Sequence, residues 1–234
     1  MLTAIVLAAG TGSRLREVTS GPKCLLELRG RPLLAHLLAV LAAAGVDDVV
    51  AITGHGSRDV TAAFPRLSTR EYAGYAGSNN LWTLARHRDL LRGRVLVSFA
   101  DVLTTVAAVS ALLRTPAEAA LLVDRAARRE GTMRVRMDGD AVVDAGAHIP
   151  PAAADGNFVG MARLQGRAPG LLAAELAAMG ADERYRHDYY TRALLRLPER
   201  GVPLAGVDVC GQPWLEVDTP ADLAAARAAD HYLS

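Results

Sequence analysis

Residues Ala4 to Lys23 read AIVLAAGTGSRLREVTSGPK, and the fold turns on how this stretch is parsed. Ala4 to Leu7 is a short apolar run of the kind that forms a buried strand. It breaks into small residues, Gly10, Thr11, Gly12 and Ser13, followed by Arg14 and, after a spacer, by Pro22-Lys23. Glycines let the backbone turn tightly and approach a ligand, and successive amide N–H groups in such a turn make an anion-binding concavity. An arginine and a lysine at its rim add charge for phosphates. The stretch therefore reads as a triphosphate cradle. It is not a dinucleotide fingerprint, because Leu15 stands where the third glycine is needed for close helix–strand packing. Nor is it a Walker A loop, since Gly21-Pro22-Lys23-Cys24 has an intervening proline and no hydroxyl after the lysine.

The rest of the chain sets the frame. With 234 residues, about half of them hydrophobic (51%), it can bury one sizeable core, and a single domain over 1–234 is expected. A formal net charge of +1 gives no electrostatic case for nucleic acid or an acidic membrane as partner. Cys24 and Cys210 are far apart, without a C-x-x-C or a His cluster, which argues against a disulfide framework and a zinc site. The apolar N-terminus has no basic leader, so it is expected to be a core strand, in a soluble cytoplasmic protein. No run approaches the length of a membrane span.

Outward from the cradle, strand and helix signals alternate. Pro32 suits a first helical turn, and Leu33, Leu34, Leu37, Leu38 and Leu41 keep helical spacing as far as Gly45. Val49 to Thr53 is a β-branched strand, broken by Gly54-His55-Gly56, with a helix over about 58–64; His55 is read as structural or solvent-facing. Such spacing indicates a parallel βαβ unit. Val95 to Phe99 is a further strand ending in Ala100-Asp101. A carboxylate just past the carboxyl end of a central parallel strand lies where ligands bind, and is a natural Mg²⁺ ligand; a turn or helix-cap aspartate is the plainer alternative. Beyond it come a helix over 105–113, a strand over 119–124, a charged turn and a hairpin over 133–145. In the turn, Arg125, Arg128 and Arg129 either stay solvated or reach phosphate. Asp155 to Leu164 is a strand interrupted by Gly160. A helix over 171–179, a helix over 185–197, an edge-like strand over 203–209 and a last helix capped by Thr219, Pro220 and Asp222 complete the pattern.

The signature L-A-A-G-x-G-x-R followed by P-K, here Leu7 to Arg14 and Pro22-Lys23, resembles nucleotidyltransferases that make NDP-sugars and CDP-alcohols. The Ser78-Asn79-Asn80 junction is similar to the phosphocholine and aminoethylphosphonate cytidylyltransferase branch. So is the WLEVDTPADL run from Trp214 to Leu223. The resemblance implies an α/β, three-layer Rossmann-like nucleotide-diphospho-sugar transferase fold with a mixed, mainly parallel central sheet. In it, residues up to about 110 bind nucleotide and the remainder bind the acceptor. It implies a nucleotide contacted by Leu7, Ala8, Ala9, Gly10, Thr11, Gly12, Ser13, Arg14, Lys23, Ser78, Asn79 and Ala100. Asn79 can equally serve only to cap the helix after it. An acceptor pocket is implied at Asn80, Arg163, Asp188, Tyr189, Arg192 and Glu216. Arg163 stands where the branch has a lysine and Asn157 where it has an acid; Arg192 stands where it has Asp, with Asp188 one turn earlier. An ordinary surface helix accounts for 185–197 equally well. Mg²⁺ is assigned to Asp101 and Asp218, with Glu216 orienting a ligand. Arg14, Lys23 and Arg163 carry the catalytic charge. The implied reaction is transfer of CMP from CTP to a small phosphorylated alcohol or phosphonate, with release of pyrophosphate, in a protein compatible with a homodimer. The alternatives are a sugar-1-phosphate nucleotidyltransferase and a non-catalytic nucleotide-binding module.

Overall fold

The computed structural model describes residues 2–126 and 132–229; Arg128 and Arg129 lie outside them. Strand β1 (Leu2–Ala8) opens the chain. Strands β2 (Glu27–Leu28) and β3 (Arg31–Pro32) form a small hairpin ahead of helix α1 (Leu33–Ala43). Next come β4 (Asp48–Thr53), α2 (Ser57–Ala63), β5 (Ser68–Glu71) and α3 (Asn80–Arg86). They are followed by β6 (Arg94–Phe99), β7 (Val102–Leu103), α4 (Val106–Arg114) and β8 (Ala119–Asp124). The second half contains β9 (Arg134–Asp138), β10 (Ala141–Gly146), β11 (Gly156–Leu164), α5 (Ala168–Met179) and α6 (Thr191–Leu194). Strands β12 (Leu204–Asp208) and β13 (Leu215–Glu216) lead to α7 (Pro220–Ala228).

Nine strands make one mixed sheet in the order β5-β4-β1-β6-β11-β8-β12-β10-β9. The wing β5-β4-β1-β6 is parallel throughout, and β8 and β12 are parallel to each other. β11 runs antiparallel to both β6 and β8 and joins the two wings. Ala4, Ile5, Val6, Leu96 and Val97 are wholly buried, as strands covered on both faces require. Helices α1 and α4 pack together, while α3, α5 and α6 pack together, leaving the sheet as the middle of three layers. A second, smaller apolar cluster joins Leu15, Leu26, Leu28, Leu33, Leu103, Val217, Leu223 and Ala226. Leu15, the residue that rules out a dinucleotide fingerprint, is fully buried there.

Two expectations need correction. The run 185–197 is not one helix. Only Thr191–Leu194 is α-helical, preceded by a 3-10 turn at Glu183–Tyr185. Side chains capture the backbone in between: Tyr190 N donates to Asn80 Oδ1 (2.8 Å), and Asn79 Nδ2 donates to the His187 carbonyl (3.2 Å). Such bonds compete with the helical ladder. Likewise β12 is no edge strand; it lies between β8 and β10. The interruption expected at Gly160 takes the form of a bulge within β11: the residue sits at φ +75°, where a Cβ would come within 2.7 Å of Val102 Cγ2, and the pairing with β8 shifts register around it. Among the described residues no helix is long and apolar enough to cross a membrane.

Candidate active site

Because β4, β1 and β6 are parallel, their carboxyl ends share one edge of the sheet, the edge at which ligands bind in open α/β folds. A cleft of about 360 Å³ opens there. Its floor is the turn after β1. Gly12 adopts the left-handed conformation (φ +60°) and Leu15 N donates to its carbonyl (2.8 Å), so the chain doubles back within four residues. The Gly54-His55-Gly56 turn after β4 braces this loop. A Cβ on Gly54 would lie 2.7 Å from the Ala9 carbonyl oxygen, and one on Gly56 2.6 Å from Pro22 Cδ. His55 Nε2 donates to the Ser20 carbonyl (3.0 Å), which makes it structural.

The acids arrive from opposite ends of the chain. Asp101 follows β6, and Glu216 and Asp218 come with β13, which pairs antiparallel with β7: Glu216 faces Val102 and Leu215 faces Leu103. Val217 N donates to the Asp101 carbonyl (3.0 Å). One carboxylate oxygen from each of Asp101, Glu216 and Asp218 lies within 4.8 Å of the others. Lys23 Nζ pairs with Asp101 and, at 2.5 Å, with Asp218; Arg14 Nη2 reaches Asp218 Oδ2 at 2.6 Å. Burial disfavours the Lys23 ammonium, but the charges and hydrogen bonds of Asp101 and Asp218 outweigh it and hold its pKa above the ordinary lysine range. Burial first, then the charges of Asp101 and Asp218, push the Glu216 carboxyl up to about 8. Asp101 Oδ1 is buried with no hydrogen-bond partner. Three convergent carboxylates, one with an orphaned oxygen, are the hard donor set that suits Mg²⁺, and no thiolate or imidazole competes among them. Cys24 also lines the cleft, but burial pushes its thiol up to about 12, so it offers no thiolate.

The structure gathers most of the residues singled out by sequence. Leu7, Ala8, Ala9, Gly10, Thr11, Gly12, Ser13, Arg14, Lys23, Ser78, Asn79, Asn80, Ala100, Asp101, Tyr189, Glu216 and Asp218 all line the cleft. Asn79 also caps α3, accepting from Asn80 N (2.7 Å). Three others are not brought there. Arg163 is fully buried and donates from Nη2 to the Thr115 carbonyl (2.6 Å), at the end of α4. The reason is strand direction. β11 runs against β6, with Arg163 opposite Leu96, three residues or about 10 Å back from the carboxyl edge. Its guanidinium sits at a helix C-terminus, outside the cleft lining. Asp188 and Arg192 pair loosely with each other (3.9 Å), outside the cleft. Arg125 pairs with Asp140 (3.6 Å). Conversely, Tyr75, Ala76, Thr83 and Phe99 line the cleft without having been singled out. Signals existed for each: Tyr75 and Ala76 lie in a glycine-rich aromatic run, Glu71 to Asn80, Thr83 one turn beyond Asn79, and Phe99 two residues before Asp101.

The model of the MobA-like NTP transferase domain matches residues 4–196. A CMP-5'-(3-aminopropyl)phosphonate synthase of Streptomyces rubellomurinus is 36% identical over 60% of this chain and 23% of its own length. A bifunctional IPC transferase and DIPP synthase of Rubrobacter xylanophilus is 33% identical over 94% of this chain and 50% of its own length. The chain thus spans half or less of these two relatives. The fold matches that of the inositol-1-phosphate CTP transferase from T. maritima, with a TM-score of 0.78, 19% identity, and coverage of 97% of this chain and 94% of that one. With the family model covering most of the chain, the chain belongs to the MobA-like NTP transferase domain family.

Proposed function

We propose that this protein is a Mg²⁺-dependent nucleotidyltransferase that uses CTP to place a CMP group on a small phosphate monoester or phosphonate. The observation that carries the reading is the meeting of Asp101, Glu216 and Asp218 within 4.8 Å, directly against Lys23 and Arg14 at the mouth of the glycine loop. Opposed carboxylates and cations at one point suit a reaction in which phosphate charge and a divalent cation arrive together. An oxygen of the acceptor's phosphate or phosphonate attacks the α-phosphorus, the bond from that phosphorus to the oxygen bridging the β-phosphate breaks, and pyrophosphate leaves. The acceptor oxygen is already anionic, so no general base is needed.

In this reading the Gly10–Ser13 loop holds the triphosphate, and Lys23 and Arg14 leave their carboxylates to meet its oxygens. Ser78, Asn79, Tyr75 and Ala76 border the base, while Asn80 and Tyr189 border the acceptor. Asp101 and Asp218 hold the cation, with Glu216 beside them. The cation, when bound, neutralises charge shared between acceptor and α-phosphate. What the chain contributes is in-line positioning and electrostatic stabilisation. The pyrimidine base and the phosphonate class of acceptor are supported by the named relative that makes a CMP-phosphonate.

A pyrophosphate-release screen tests the reading. CTP, UTP, ATP and GTP are each offered with phosphocholine, inositol phosphate, aminoalkyl phosphonates and sugar 1-phosphates, with Mg²⁺ or with EDTA. The expected result is release that needs Mg²⁺, favours CTP and is driven by a non-sugar acceptor. Preference for a sugar 1-phosphate overturns the acceptor class, and binding of nucleotide without any turnover overturns the enzyme.

A further inference from the structure

The strand that delivers Glu216 and Asp218 is short of support. Its ladder with β7 comprises two residue pairs, and a ladder that short does not by itself fix the twist of a segment. Further holds follow it: Val217 N on the Asp101 carbonyl and Asp218 N on Asp222 Oδ2 (3.1 Å). At its leading end stands Trp214, 1% exposed, whose indole N–H donates to Asp124 Oδ2 at 2.7 Å. Asp124 is itself buried, ends β8 and accepts from Ala126 N at 2.9 Å through its other oxygen. It also sits opposite Asn157 of β11 in the sheet. The partner of the indole is therefore a carboxylate fixed in the main sheet.

In an extended run, residues two apart share a face. Trp214, Glu216 and Asp218 are spaced in this way, so the direction taken by the indole governs the rotation of the strand and, through it, where the two carboxylates point. A buried hydrogen bond to a carboxylate is among the stronger neutral-to-charged contacts available for the purpose. We infer that Asp124 is a positioning residue for the divalent-cation site: its bond to Trp214 sets the rotation of residues 214–218 and thereby brings Asp218 and Glu216 into register with Asp101. The inference rests on the cation reading of those acids. Asp124 does not line the cleft; it acts through Trp214.

The test measures Mn²⁺ affinity of the nucleotide-free protein by electron paramagnetic resonance of the unbound ion. Two variants remove the same bond from opposite ends, Trp214→Phe and Asp124→Ala, so that a folding failure of one leaves the other informative. Asp124→Asn keeps an acceptor oxygen for the indole and gives up only the bond from Ala126 N, an exposed turn residue whose amide water can satisfy. Loss of outer-shell support typically weakens metal binding about 10–100-fold. Trp214→Phe and Asp124→Ala are expected to show a loss of that order, with a matching rise in the Mg²⁺ concentration needed for half-maximal turnover and kcat largely restored at saturating Mg²⁺. Asp124→Asn is expected within about threefold of wild type. A folded Trp214→Phe or Asp124→Ala protein with wild-type Mn²⁺ affinity overturns the inference, as does Asp124→Asn binding as weakly as Asp124→Ala. A wild-type protein that binds no Mn²⁺ overturns the cation reading itself, and is distinguishable from these outcomes.

Discussion

Replacing Lys23 by methionine keeps the length of the side chain and removes its charge, and the geometry around it makes the consequence calculable. The Lys23 side chain is 16% exposed, Asp101 14% and Asp218 16%, so the two ion pairs are largely shielded from water. At an effective dielectric constant of about 20, two carboxylate charges within 4.8 Å of each other repel by at least about 3.5 kcal/mol. In the wild type the ammonium cancels much of that repulsion. Its loss from a buried pair costs on the order of 3–5 kcal/mol, so metal-free Lys23→Met should melt well below wild type. The same change removes the cation that competes for the acids. Nucleotide-free Lys23→Met is therefore expected to bind Mn²⁺ about 10–100-fold more tightly than wild type, and to regain most of its melting temperature when Mn²⁺ is added. Turnover should nevertheless fall about 10²–10³-fold, or roughly 2–4 kcal/mol of barrier, because the triphosphate has lost its lysine. Isothermal titration with Mn²⁺ and pyrophosphate release measured on one preparation read both effects. Unchanged or weaker Mn²⁺ binding would refute the view that Lys23 and the cation share Asp101 and Asp218, and wild-type turnover would refute the triphosphate role.

Other outcomes follow from particular contacts. Gly56→Ala places a Cβ 2.6 Å from Pro22 Cδ at a φ of +62°, which strains the turn by roughly 1–2 kcal/mol. It should displace Lys23 and raise the KM for nucleotide, and unaltered kinetics would count against the bracing role of that turn. The Glu216 carboxyl is raised to about 8 in the folded protein against an ordinary value of 4.5, so the folded state holds its proton where the unfolded state has lost it. Metal-free stability should accordingly decline as pH rises from about 4.5 to about 8. Urea denaturation in EDTA at pH 6 and 8.5 should show that decline, and Glu216→Gln should flatten it; a steeper decline in the variant is the contrary result. Arg163→Met removes a guanidinium that has two buried N–H-bearing nitrogens without partners. Its kcat/KM is expected within about threefold of wild type while its melting temperature moves. A hundredfold loss of kcat/KM without loss of fold would return Arg163 to the reaction.

How much of this was legible in the sequence depends on whether a feature is local. The glycine loop, the Pro32 and Thr219 helix starts and the β-branched strands are written in neighbouring residues, and they appear where expected. Asp101 could be read because a carboxylate after a central strand has a position as soon as the strand has a direction. Arg163 was misplaced for the complementary reason. Nothing local tells that β11 runs against its neighbours, and that reversal carries the arginine to the opposite edge. The helix expected over 185–197 failed because its competitors are the amides of Asn79 and Asn80, about a hundred residues away. The ion pairs between Lys23 and Asp218, 195 positions apart, likewise have no trace in local pattern.

The small apolar cluster beneath the site has a consequence for how the protein comes into being. Leu15, which closes the phosphate loop, and Val217, which separates the two late acids, bury themselves in the same cluster with Leu223 and Ala226 of α7. A chain emerging from the ribosome therefore lacks the last acids of its cleft until residues 216–218 are made, and the apolar backing behind them until α7 follows, however early its first strands pair. Leu15 can settle early against Leu26, Leu28, Leu33 and Leu103, but a fragment ending ahead of Trp214 would carry a phosphate loop without the two late acids that face it.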